Sequence, residues 1–179
     1  MYVLDATPLI YLAKVDRLAL LTQLDAECVV PERVYDEVVT AGLEREYADA
    51  RRIEARVEDG ALAVRTAERS RLFDRVRSST ALSDADAAVL AMASANGGIA
   101  VMDETYGRSV AETEGIEARG TAYLVLATAK QAELSTDDAR ATIDAMLDAG
   151  WYCAPDLYAR IIRTIDALDS SEANGNRVD

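Results

Sequence analysis

The sequence predicts an α/β fold, a parallel sheet flanked by helices on both faces, with a C-terminal helical extension. Three observations predict it. Short apolar runs at Tyr2–Leu4, Cys28–Val30 and Ile99–Met102 alternate with helical patterns, the arrangement of strand–helix–strand units. Beyond Thr121 the pattern is helical alone. No internal repeat, heptad array or low-complexity tract competes with this reading.

The elements follow in order. Tyr2–Leu4 reads as the first strand, ending at Asp5, and Thr7-Pro8 supplies an N-cap and first-turn proline for a helix from about Pro8. Cys28–Val30 reads as a second strand, and Pro31 stands at a helix start, with helix continuing from Glu32 to Thr40. Leu43 to Glu58 reads as a charged, solvated helix and Ala61–Val64 as a short strand. Ser83 caps a helix running to Asn96, Gly97-Gly98 ends it, and Ile99–Met102 is a strand closing at Asp103. A helix over Arg108–Glu114, a short strand near Ile116, and helices over Tyr123–Gln131, Thr136–Leu147 and Pro155–Leu168 complete the chain. Residues 1–168 form one domain in this reading, with 121–168 as its extension and 169–179 as a polar, disordered tail.

Composition excludes several chemistries. The 179 residues contain no histidine, which removes Ser-His-Asp and Cys-His systems, HExxH zinc sites and any imidazole base. Cys28 and Cys153 are isolated, with no CxxC, as in a reducing cytoplasm, and Cys28 reads as a small core residue. Ala87 to Met102, the longest uncharged run, is shorter than the roughly 20 residues a membrane span needs. The N-terminus lacks a signal-peptide core. The expectation is a soluble cytoplasmic protein without membrane attachment.

The net charge is −13, from 32 acidic against 19 basic side chains, and all the basic ones except Lys14 and Lys130 are arginine. Abundant aspartate, abundant alanine and scarce lysine fit a halophilic chain working in molar salt. At about 1 M salt the Debye length is about 3 Å, so this charge does not repel a polyanion at range.

Most of the acids read as solvated surface, but four positions stand out. Asp5 and Asp103 each close an apolar strand, and open parallel sheets bind ligands beyond their carboxyl ends; such aspartates also serve as helix caps. Glu37 falls on the stripe Val34–Val38–Ala41, where a charge is costly unless it is paired or binds a cation. Asp86 shares a face with Val89, Leu90 and Ala93, and Ser83-x-x-Asp86 also resembles a capping box; both roles are compatible. Asp84 faces Ala88 and Ala91 and is at most an accessory ligand. Four converging carboxylates cannot all ionise unaided, and a hard cation, Mg²⁺ or Mn²⁺, resolves the repulsion. Such a site suits metal-assisted phosphoryl chemistry. Paired carboxylates also serve glycosidases, but one Trp and one Phe offer little surface for stacking sugars.

Leu4-Asp5-Ala6-Thr7-Pro8-Leu9-Ile10-Tyr11-Leu12, Val34-x-x-Glu37-Val38, Leu82-Ser83-Asp84-Ala85-Asp86-Ala87 and Val101-Met102-Asp103-Glu104 together resemble a PIN-domain protein of the VapC-like ribonuclease group. Arg108, Ala111, Gly115-Ile116, Gly120, the run Tyr123 to Lys130, and Gly150-Trp151-Tyr152 with Leu157-Tyr158 extend the resemblance over roughly residues 1–168. It implies a metal-dependent endoribonuclease leaving 5′-phosphate and 3′-hydroxyl ends, with Asp5, Glu37, Asp86 and Asp103 as catalytic ligands of Mg²⁺ or Mn²⁺. Thr7 matches a Ser/Thr that orients the first aspartate or a water, and reads equally as the N-cap before Pro8. Glu104 reaches the metal through water or is a solvated neighbour. Arg108 contacts phosphate, pairs with the acids or is plain surface. Many members carry Gly-Glu where this chain has Ser83-Asp84, and the stretch around Asp103 lacks the common Thr-x-Asp, which leaves Asp84 against Asp86 open as third ligand.

Residues 45–77 hold nine arginines against seven acids, the one locally basic stretch. Arg65, Arg69, Arg71, Arg75 and Arg77 either track an RNA backbone or form a salt-bridged surface. The implied partners are an RNA substrate, an antitoxin protein if the chain is the toxin of a toxin–antitoxin pair, and a second copy in a homodimer. Two alternatives differ in class: a non-catalytic RNA-binding or regulatory PIN relative, and a small metal-dependent phosphohydrolase. The Asp-x-Asp-x-Thr nucleophile motif is absent, as are GxxxxGK[ST] and GxGxxG loops.

Overall fold

The computed structural model describes residues 1–68, 70–79 and 81–175. Five strands form one parallel sheet in the order β3-β2-β1-β4-β5: β1 Tyr2–Leu4, β2 Cys28–Pro31, β3 Ala63–Arg65, β4 Ile99–Val101 and β5 Ala118–Arg119. Tyr2 pairs with Cys28 on one side and Ile99 on the other, so β1 is central and fully covered. Strand order reverses beside β1, and the crevice at the carboxyl ends of β1 and β4 is the topological switch point where such sheets hold ligands.

The helices are α1 Ala6–Lys14, α2 Glu32–Tyr35, α3 Ala41–Glu44, α4 Ala48–Glu58, α5 Arg71–Ser79, α6 Asp84–Asn96, α7 Thr105–Thr113, α8 Thr121–Lys130, α9 Thr136–Asp148 and α10 Pro155–Gly175. They flank the sheet in the expected α/β arrangement. Helix α6 packs against β1, β2 and β4, and its buried run from Ala87 to Ala93 includes Val89, Leu90 and Met92. Its small alanines admit close approach of helix to sheet. Gly97 ends it in the left-handed region, φ 59°, where a side chain would be strained. Helices α8, α9 and α10 pack on one another, and their Leu124, Ile143, Met146 and Ile165 belong to the same buried cluster as Val3, Leu4, Leu9 and Leu90. Cys28 lies in that cluster, its thiol directed at the Leu21 carbonyl, and burial pushes its pKa up to about 12. Among the described residues, no helix is long and apolar enough to cross a membrane.

Several boundaries differ from the sequence reading, each for a local reason. The ladder runs on to Asp5, whose N–H donates to Val101 O, so Asp5 occupies the N-cap position and Thr7 lies within the first turn of α1. Pro31 remains in β2, and α2 begins one residue later. The helix expected from Glu32 to Thr40 contains a π turn over Asp36–Thr40. The charged helix expected from Leu43 breaks at Glu46, which takes φ 58°, and resumes at Ala48. Helix α5 and a 3₁₀ turn over Leu18–Thr22 are additional elements. Arginines obscure α5, which nevertheless buries Phe73 and Val76. Helix α10 continues past Leu168 to Gly175; Thr136 donates to Asp169 at 3.0 Å, tying that stretch to α9. Of the tail expected over 169–179, residues 176–179 lie outside the described residues.

Candidate active site

The strand ends set the site. Asp5, at the carboxyl end of the central strand, is 6% exposed. Burial raises its pKa to about 7, and the charges of Asp86, Glu37 and Asp103 push in the same direction. The backbone N–H of Ala6 acts in the opposite direction without cancelling the shift. The residues foreseen at the sheet edge are thus near enough to act on Asp5 through their charge.

Each neighbour is held differently. Asp86 opens α6 in a reciprocal capping box: Ser83 Oγ accepts its N–H at 3.0 Å, while Asp86 Oδ2 accepts the Ser83 N–H at 2.9 Å and hydroxyl at 2.7 Å. The capping box foreseen for Asp86 is present, with every side-chain acceptor bond on Oδ2. Glu37 is exposed rather than set on a core-facing stripe. It lies in the π turn, whose i→i+5 bonding breaks the i, i+3 pattern; Val34, Val38 and Val39 take the buried positions. Asp103 is clamped. Its Oδ1 accepts the Thr121 N–H at 2.7 Å, and its Oδ2 accepts the Thr121 hydroxyl at 2.6 Å and the Trp151 indole N–H at 2.7 Å.

Two of the accessory candidates, Asp84 and Glu104, are held by other partners. Asp84 is bound by Arg33 at 3.1 Å and by Arg77. Glu104 caps α7, accepting the Tyr106 N–H at 3.1 Å and the Gly107 N–H. Thr7 is half-buried in the first turn of α1. Arg108 is half-buried, and a Cβ added to Gly120 would meet both its Nη1, at 3.1 Å, and Asp103 Oδ1, at 2.8 Å. In the basic stretch, Arg65 pairs with Glu27, Arg75 with Glu114 and Arg77 with Asp84, the salt-bridged alternative. Arg71 is exposed, and Arg69 lies outside the described residues.

A family model described as a PIN domain matches residues 1–167. The chain belongs to the PIN-domain family. No curated protein and no solved structure matches it significantly. PIN domains are generally nucleases and typically use divalent metals. The donor chemistry here fits such an ion: the candidate ligands are all carboxylates, and the one at the centre is buried and charged only at a cost. As placed, no three potential ligating groups among the described residues stand together closely enough to hold an ion.

Sequence reasoning passed over Thr121 and Trp151 as partners of Asp103. Gly120-Thr121 carried a faint signal, since a glycine followed by threonine opens α8, but no local pattern joins Asp103 to Trp151. It also passed over a groove of about 440 Å³ lined by Ile10, Lys14, Glu37, Arg45, Tyr47 and Asp49. Lys14 and Arg45 are exposed, Tyr47 is 50% exposed, and neither cation makes an ion pair with any described residue.

Proposed function

We propose that this PIN domain is a divalent-metal-dependent endoribonuclease of the VapC-like kind, with Asp5, Glu37, Asp86 and Asp103 as the ligands of Mg²⁺ or Mn²⁺. The observation that carries the reading is Asp5, a carboxylate almost wholly buried at the switch point, beside three further carboxylates that make its ionisation costly. Such an arrangement destabilises the ionised protein and gains a purpose once a cation is shared. Bound there, a divalent ion supplies a water acidic enough to attack phosphorus near neutral pH and offsets the charge of the phosphate.

The chain's own side chains do the rest. Asp5 anchors the centre from the rigid end of β1. The capping box keeps Asp86 in one orientation and leaves its Oδ1 for a ligand. Asp86 serves in preference to Asp84, whose carboxylate is taken by Arg33 and Arg77. Arg108, beside Asp103, reaches a bound phosphate. The groove next to Glu37 takes the substrate strand in place of the 65–77 arginines, with Lys14 and Arg45 against phosphates and Tyr47 against a base.

The test is cleavage of single-stranded and structured RNA with Mn²⁺ or Mg²⁺ by wild type and Asp5→Asn, in 0.2 to about 3 M KCl to span the screening range. Metal-dependent cutting that Asp5→Asn abolishes upholds the reading. Folded wild type that binds RNA but never cuts it replaces the reading with the regulatory one. Tyr47→Ala and Arg45→Glu are expected to weaken oligonucleotide binding about tenfold each, on the scale of one lost stacking or phosphate contact. Service as the toxin of a toxin–antitoxin pair is the cellular side of the same proposal. Growth arrest on expression, relieved by Asp5→Asn and by an antitoxin partner, checks it.

A further inference from the structure

We propose that Trp151 is a positioning residue for the metal centre, its indole N–H acting with Thr121 to turn Asp103 so that one oxygen, Oδ1, remains to take a divalent ion. This rests on the ion-binding reading above and extends it to the C-terminal part of the chain.

Three donors meet the Asp103 carboxylate. A carboxylate oxygen offers about two lone-pair sites. The Thr121 hydroxyl and the Trp151 indole fill both on Oδ2, at 2.6 and 2.7 Å. The Thr121 N–H takes one on Oδ1, leaving a single site open there.

Neither donor residue has an easy alternative. Trp151 is 4% exposed and Thr121 is 0% exposed. An indole nitrogen can only donate, so turning Asp103 away would strand a buried N–H at a cost of about 1–3 kcal/mol.

The connection between α9 and α10 is shaped for this contact. Gly150 takes φ 95°, which only glycine adopts without strain, and the Trp151 N–H returns to Met146 O at 2.9 Å. A residue 48 positions along the chain from Asp103 is thereby brought onto it. Gly120 guards the other side, since a Cβ there would lie 2.8 Å from Oδ1. Outer-shell hydrogen bonds of this kind orient metal ligands, and their loss typically costs 10–100-fold in metal affinity.

The experiment measures Mn²⁺ binding to the full chain by electron paramagnetic resonance of the free ion, with circular dichroism as a check on folding. Trp151→Phe keeps the ring and removes the donor, and its Mn²⁺ affinity is expected to fall at least tenfold. Thr121→Val should lose affinity in the same direction and Thr121→Ser should restore it, which keeps the test decisive if Trp151→Phe fails to fold. Wild type also reports on itself, because Trp151 is the chain's one tryptophan. Diamagnetic Mg²⁺ should change its emission at the same half-saturation at which Mg²⁺ displaces Mn²⁺. If folded Trp151→Phe or Thr121→Val binds Mn²⁺ within twofold of wild type, or Mg²⁺ binds without altering the emission, the positioning role is overturned and the metal reading stands. Wild type that binds no Mn²⁺ overturns the metal reading and this role together.

Discussion

Replacing Asp5 by asparagine should stabilise the metal-free protein while abolishing its activity. The reason is the cost of ionising a carboxylate that is 6% exposed and faces three others. Its pKa in the folded protein is about 7, against an ordinary value of 3.8. Because the folded value is the higher one, the contribution of Asp5 to stability is complete below pH 3.8 and is lost as the pH rises through 7. At about 1.4 kcal/mol per unit, the loss at pH 8 is on the order of 4 kcal/mol. Asparagine carries no such charge and resembles the protonated acid in shape. For a chain of this size, 4 kcal/mol corresponds to roughly 8–16 °C in Tm.

The assay is urea denaturation of wild type and Asp5→Asn in EDTA, at pH 8 and again near pH 4. The variant should be the more stable by several kcal/mol at pH 8 and nearly equal to wild type near pH 4. With EDTA removed, free Mn²⁺ at a hundred times its dissociation constant should return about 2.7 kcal/mol to wild type and nothing to the variant. Equal stabilities at pH 8, or a difference independent of pH, would refute the claim that Asp5 is held against its charge.

Asp103→Asn should do the opposite and destabilise by about 2 kcal/mol at pH 8, because whichever way the amide turns, its NH₂ faces either the Thr121 N–H or the Trp151 N–H; chemical denaturation beside Asp5→Asn reads the contrast in sign. Glu104→Ala should cost about 1 kcal/mol through loss of the α7 cap and leave Mn²⁺ affinity within twofold, as denaturation and ion titration would show. Raising KCl from 0.2 to about 3 M should raise Tm, since screening weakens the self-repulsion of a chain with net charge −13 more than its exposed ion pairs; a Tm that falls would contradict the salt-adapted reading of the composition.

Legibility in the sequence tracked how local the cause was. Tyr2–Leu4, Cys28–Val30 and Ile99–Val101 are strands because buried parallel strands read as unbroken apolar runs, and each could be seen within four residues. Ser83-x-x-Asp86 announced its capping box in the same way. The π turn at Asp36–Thr40 could not be seen, because the apolar residues around Glu37 fit an ordinary helix equally well and the sequence does not mark where one extra residue is accommodated. Arginine density in 65–77 suggested a basic surface, but the acids that pair with Arg65 and Arg75, Glu27 and Glu114, are 38 and 39 residues away. Charge counted along the chain misses such partners. Trp151 illustrates the limit most fully: its role depends on a 48-residue contact with a carboxylate that the sequence had already marked out.

Asp5 and Asp103 end neighbouring parallel strands, yet the fold treats them in opposite ways, and the difference bears on how a cation site could be built from carboxylates alone. Asp103 is given three donors, so its orientation is fixed. Asp5 is given burial and repulsive neighbours, so its charge is left in want of a partner. Joining them places one group that needs a cation beside another already aimed, on strands whose mutual register is fixed by the pairing of Leu4 with Val101. On the proposed reading, relief of the cost of ionising Asp5 would become part of the ion's binding free energy. That is why the asparagine substitutions at these two positions, alike in chemistry, should move stability in opposite directions.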